Sequence, residues 1–166
     1  SPALLTPASA SLCLQVALQV LHHSQSDACS RLCDALIGHL LPPSPDPTYS
    51  PLRVGLQDPL LSRVLEVVIA VAGPQRLRRL FEDHLRGHLR SLATHPVANH
   101  GLQRLLDHAP AELVEEVLSE LGPTLPEPLA QGYPGVLIAL AAACRRHPSL
   151  QQRALQSLLQ VGHTPS

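Results

Sequence analysis

The segment HPVANHGLQRLLDHAP, residues 95–110, lies without a gap on YPGVLIALAAACRRHP, residues 133–148. Pro96 falls on Pro134, Leu102 on Leu140 and Pro110 on Pro148, each 38 residues apart. The stretch DPLLSRVLEVVIAVAGP joins the set: Pro59 falls on Pro96, Leu65 on Leu102 and Ile69 on Leu106, each 37 apart, and only Pro74 slips by one. An earlier copy, SASLCLQVALQVLHH, places Leu14 on Leu65 and Leu18 on Ile69, the offset growing to 51 because a Pro-rich segment intervenes. A period near 37 built from helical segments is the mark of a solenoid, in which each unit buries its apolar face against its neighbours.

Each copy has the same grammar. A first helix carries Leu and Val on nearly all sides and is expected to be buried. A proline turn (AGPQ, HAPA, RHPS) then opens an amphipathic helix, because proline at a first helical position lacks only an N–H that would be unpaired anyway. The apolar stripes are Leu77, Leu80 and Phe81; Leu113, Val114, Val117, Leu118 and Leu121; and Leu150, Ala154, Leu155, Leu158 and Leu159. A further helical turn is expected from Leu85 to Leu92. With 17 prolines and only three aromatic residues, the chain suits short, sharply ended helices better than a sheet. The fold class is therefore all-α.

The units read as 1–41 (a partial repeat), 42–57 (a Pro-rich exposed insertion), 58–93, 94–131 and a degenerate repeat at 132–166. The chain has no initiator Met and opens inside a repeat, so a piece of a longer array is expected. No apolar run reaches the roughly 18 residues of a membrane span, and Cys13, Cys29, Cys33 and Cys144 lack paired spacing, as in a reduced protein. A net charge of −1 excludes strong reliance on duplex backbone attraction. No GxSxG, Walker or deaminase motif occurs. His84 and His88 have no third ligand at a fixed spacing, and Cys29 with Cys33 reads as core. No catalytic residue, metal or cofactor is expected.

Polar groups break the apolar pattern at matching positions. Asn99 and Gln103 are neighbours one turn apart with His100 beside them. The preceding copy has Ser62, Arg63 and Glu66 in register, and the first has Ser11, Leu12 and Gln15. The repeat length and ANHGLQRLL resemble the pumilio (PUF) RNA-binding repeat, a three-helix unit whose middle helix lines a concave surface and reads a base per repeat. The resemblance implies a right-handed α-solenoid. It also implies base-edge roles for Asn99, Gln103, Ser62, Glu66, Ser11 and Gln15, and stacking roles for His100 and Arg63. An amide pair one turn apart can donate to and accept from uracil; Glu66 can accept from both donors of guanine, with Ser62 assisting. By the family's pattern Ser–Glu suggests guanine, Asn–Gln uracil and Ser–Gln adenine, although Leu12 is a poor stacking residue. Stacking is worth about 1–3 kcal/mol per base, enough to hold RNA without a large net charge.

The last copy departs from the pattern. Its aligned residues are Leu137, Ile138 and Ala141, or Gly135, Val136 and Ala139 if the helix slips, and neither set can bond a base edge. This points to a divergent, nucleolar branch of the family. That branch implies a monomer outside the membrane that binds pre-ribosomal RNA (the 18S precursor and internal spacer), single-stranded or structured, during small-subunit assembly. It further implies shielding of that RNA from premature cleavage, with pre-ribosomal particle proteins as further partners. Other readings stand beside these. Asn99, His100 and Gln103 also fit a solvated face or capping amides, and Arg63 with Glu66 fits a surface ion pair. Arg76, Arg78, Arg79, Arg86 and Arg90 are candidate phosphate contacts, but a salt-bridged face suits them as well. A HEAT or armadillo protein scaffold is the alternative architecture, with a longer period of about 40–47 residues.

Overall fold

The structure is a computed structural model and describes residues 6–162. Eleven α-helices follow one another, with no strand among the described residues: α1 (Pro7–His23), α2 (Asp27–Leu40), α3 (Pro51–Gln57), α4 (Leu61–Val71), α5 (Pro74–Leu80), α6 (Leu89–Ala93), α7 (Ala98–His108), α8 (Ala111–Leu121), α9 (Pro126–Ala130), α10 (Gly135–Arg146) and α11 (Gln151–Gly162). The aligned segments are α1, α4, α7 and α10. They stack side by side, α4 between α1 and α7, and α7 between α4 and α10. We call this row the inner layer. Helices α2, α5, α8 and α11 form a second, outer layer, bridged by side chains across successive repeats.

The register of the sequence is the register of the core. Leu65, Leu102 and Leu140 are all buried, as are Ile69, Leu106 and Cys144 one turn later. Burying each such leucine or isoleucine contributes about 1.5–3 kcal/mol. Phe81 is fully buried beneath α5, with the Arg86 guanidinium 5.5 Å from its ring centre. The inner helices begin on equivalent caps. Asp58 Oδ1 accepts from the Leu60 and Leu61 amides at 2.9 and 2.8 Å. Thirty-seven residues on, His95 Nδ1 accepts from the Val97 and Ala98 amides, both at 3.1 Å. Such caps satisfy the orphan N–H groups of a first helical turn.

Three local expectations are corrected. Residues 51–57, read as part of the exposed insertion, form α3: Ser50 caps it, Pro51 opens it, and Leu52 and Leu56 are buried against the array. The prolines before residue 50 masked an ordinary apolar helix after it. The turn expected from Leu85 to Leu92 is split. A π-helical turn, Phe81–Leu85, ends the preceding helix, Gly87 takes a left-handed φ of 84°, and α6 starts at Leu89. A left-handed residue stops a helix, and glycine adopts it without a Cβ penalty. The inner helices are not buried all round, since Arg63, His100 and Ile138 stand exposed at one aligned position.

Close approach fixes the spacing of the units. A Cβ at Gly101 in α7 would lie 2.5 Å from Leu56 Cδ2 of α3, so glycine lets α3 sit directly on α7.

Candidate nucleic-acid interface

Each triad starts in the first turn of an inner helix, where side chains can either cap the chain or face outward. The first member does the former. Asn99 is 3% exposed; its Nδ2 donates to the His95 and Pro96 carbonyls at 2.8 and 3.1 Å. Ser62 is buried and donates to Pro59 O at 3.4 Å. Ser11 donates to Leu60 O at 3.3 Å, tying α1 to the entry of α4. The second member does the latter: Arg63 and His100 are exposed.

The third member is held by the first. Gln103 Nε2 donates to Asn99 Oδ1 at 2.9 Å, and Gln15 Nε2 donates to Ser11 Oγ at 3.1 Å. Each glutamine keeps its own carbonyl oxygen and a second N–H for another partner, in an orientation set by the residue four before it. Glu66 differs, because Ser62 spends its proton on the backbone. Among the described residues, Glu66 makes no ion pair with Arg63. Gln103 has a further support: a Cβ at Gly135, which opens α10, would collide with the Gln103 amide.

Arg63, Glu66 and His100 converge. With Pro59, Ser62, Pro96 and Val97 they line one cleft of about 270 Å³ between α4 and α7. Two flat groups from consecutive helices thus border a slot that also holds a carboxylate. An imidazole and a guanidinium each stack on a base, and a free carboxylate accepts from paired N–H donors. On α1 the exposed second position is Leu12, and on α10 the three positions are the apolar Leu137, Ile138 and Ala141.

The five candidate phosphate arginines lie apart from the inner layer. Arg76 reaches Asp34 at 2.6 Å and Ser30 of α2, and the same bond holds the Asp34 carboxyl below its usual range. Arg78 meets Glu112 at 2.6 Å, Arg86 meets Glu116 at 3.0 Å, and Arg90 meets Glu127 at 2.6 Å. Arg153 of α11 continues the series to Glu115. Each pair joins neighbouring repeats along the outer layer. Arg79 is exposed and makes no ion pair among the described residues.

Other candidates settle into the scaffold. His84 lies 2.9 Å from Ser50 Oγ, and burial lowers its pKa, favouring the neutral ring. All four cysteines are free, and burial pushes the Cys33 thiol up to about 11. The triads did not identify a second stretch of inner surface below Arg63 and Glu66, where His22, His23, Arg104 and His108 gather. Its only sequence sign was that these residues end aligned helices.

Comparison with known proteins agrees with this architecture. The NOP9-like PUF repeat domain matches residues 2–163. Nucleolar protein 9 of Homo sapiens is 49% identical over 160 residues, 96% of this chain and 25% of that protein. The Mus musculus protein of the same name is 48% identical over the same shares. The chain therefore spans about a quarter of the length of these curated relatives. Among solved structures, APUM23-deletion-of-insert-region-GGAAUUGACGG superposes with a TM-score of 0.77 at 23% identity, covering 93% of this chain and 30% of the other. APUM23-GGAGUUGACGG gives 0.76 at 24% identity, with 93% and 29% covered.

Proposed function

The chain belongs to the NOP9-like PUF repeat family, and from that premise we propose that its inner layer binds single-stranded RNA by stacking and edge contacts, without catalysis. The family assignment removes the HEAT or armadillo alternative as a description of the array. One observation carries the reading: Arg63 and His100, from consecutive helices, border the same cleft as Glu66. That cleft holds a base between two flat groups and offers it an acceptor. Asn99, Ser62 and Ser11 act as orienting residues here. Asn99 and Ser11 aim their glutamines, while the edge contacts come from Gln103, Glu66 and Gln15.

The name borne by the human and mouse relatives supports a nucleolar setting. We propose pre-ribosomal RNA as the ligand: the 18S precursor and its internal spacer, shielded from premature cleavage while the small subunit forms. In this reading the chain acts as a monomer, with pre-ribosomal particle proteins as neighbours. The arginines of the outer layer hold the repeats together, and Arg79 is the one of the five best placed for a phosphate.

The test is fluorescence anisotropy with short single-stranded RNAs carrying guanine–uracil steps in either order. Replacing Arg63→Ala and His100→Ala weakens binding by about 5- to 150-fold for each stacked base lost, at unchanged melting temperature. Wild-type affinity in the double variant overturns the reading.

A further inference from the structure

The inner surface does not end at the triads. Beside Arg63 and Glu66 opens a groove of about 450 Å³ framed by α1, α4 and α7. Its floor is apolar: Val67, Ala70 and Val71 of α4 line it, and all three remain partly exposed. Its rim is cationic. His22 and His23 close α1 on one side, and Arg104 and His108 close α7 on the other. The carboxylates here are Glu66 at the upper edge and Asp107, which Arg104 engages at 3.0 Å. From α10, Arg146 reaches over the end of α7 and donates to Leu106 O at 2.6 Å.

His108 reports the local field. Burial lowers its pKa, Arg104, Arg146 and His22 push it the same way, and only Asp107 opposes. Four cationic or imidazole groups from three helices thus stand within electrostatic reach of one another. Their mutual repulsion is relieved when an anion settles among them. A flat apolar floor bordered by such groups has the chemistry of one nucleotide: a base lying on aliphatic carbons, and a phosphodiester at its edge. A membrane or an acidic peptide has no comparable claim. The groove is continuous with the base cleft, since Arg63 and Glu66 line both.

We propose that this groove is a second nucleotide subsite, which receives the nucleotide flanking the one in the Arg63–His100 cleft. Its base rests on Val67, Ala70 and Val71, and its phosphodiester meets Arg104 and the histidines. The subsite rests on the RNA-binding reading above but uses none of its stacking residues. It gives the array a nucleotide contact that the one-base-per-repeat register does not count.

Arg104→Gln, Val71→Glu and His100→Ala are compared with wild type, using the same single-stranded RNAs over a range of salt. Arg104→Gln reduces the log–log salt slope by about 0.7, the loss of one phosphate contact, and weakens binding about fivefold. Val71→Glu places a like charge against the phosphodiester and weakens binding about tenfold. Both keep the melting temperature and the guanine–uracil preference, whereas His100→Ala alters that preference. A probe carrying 4-thiouridine crosslinks to residues 67–71 of the unmodified protein. Unchanged slopes and affinities in the first two variants, with binding still weakened by His100→Ala, overturn the subsite and spare the RNA-binding reading. Crosslinks confined to residues 62–66 and 99–103 do the same. Absence of any binding by wild type overturns both.

Discussion

Helices α7 and α10 are neighbours in the stack and near-copies in the core, yet only one presents chemistry to solvent. Leu102 and Leu140 are interchangeable, as are Leu106 and Cys144. On the open face, Asn99, His100 and Gln103 of α7 meet Leu137, Ile138 and Ala141 of α10, with Ile138 64% exposed. The difference teaches that fold and recognition are written in separate residues of the same helix. The buried positions hold the register, and the exposed ones are free to change. One link crosses between them: Gly135 of α10 makes room for the Gln103 amide of α7. The helix that lacks a triad therefore helps to position its neighbour's.

The largest effect probes the shared half of the comparison. Leu102→Ala and Leu140→Ala each remove a fully packed leucine and lower unfolding free energy by about 2–5 kcal/mol. Urea denaturation followed by circular dichroism checks this, and near-equal losses in the two helices are expected. A loss confined to α7 breaks the claim that the cores are equivalent.

The next effect erases the unshared half. Leu137→Asn, Ile138→His and Ala141→Gln copy the α7 triad onto α10. Affinity then rises about fivefold or more for an RNA lengthened by one uracil, since one stacked base contributes about 1–3 kcal/mol. The unextended RNA binds as before, and anisotropy titration of the two lengths reads the difference. No gain shows that the α10 face differs by more than its three side chains.

The smallest effect uses pH. His108 ends α7 where Arg146, which does not titrate in this range, stands on α10. Burial lowers the pKa of His108 and of His84 in the folded protein. The unfolded chain takes up these protons first, near its ordinary value of about 6.5. The stability linked to both rings is thus full above that pH and is lost as pH falls toward the depressed folded values. The melting temperature declines modestly between pH 7.5 and 5.5, and His108→Gln with His84→Gln flattens the decline. An unchanged slope removes both rings as its source.

The stack and its core were legible because leucines and prolines recur in register, and burial follows the same spacing. The candidate site was legible only in part. Arg63 and His100 were placed correctly on the open face, but Asn99 and Ser62 turned inward. A small polar residue in a first helical turn serves a backbone carbonyl as readily as a ligand, and its spacing is the same in both cases. The outer ion pairs were hidden for another reason. Arg76 and Asp34 are 42 residues apart, and Arg78 and Glu112 are 34 apart, so no local pattern joins them. Helix α3 was concealed by composition, since five prolines in front of Leu52 outweighed a short apolar pattern after it.

The seat of Leu56 on Gly101 has a thermodynamic corollary. Helix α3 precedes α4 in the chain, yet its side chain occupies space that α7 vacates by having no Cβ. Opening α7 alone would leave Leu56 over a void, and opening α3 alone would bare the α7 backbone to water. Each move forfeits contacts belonging to the other, so the two helices melt as one block. An array bonded in this way breathes in groups of repeats rather than fraying helix by helix.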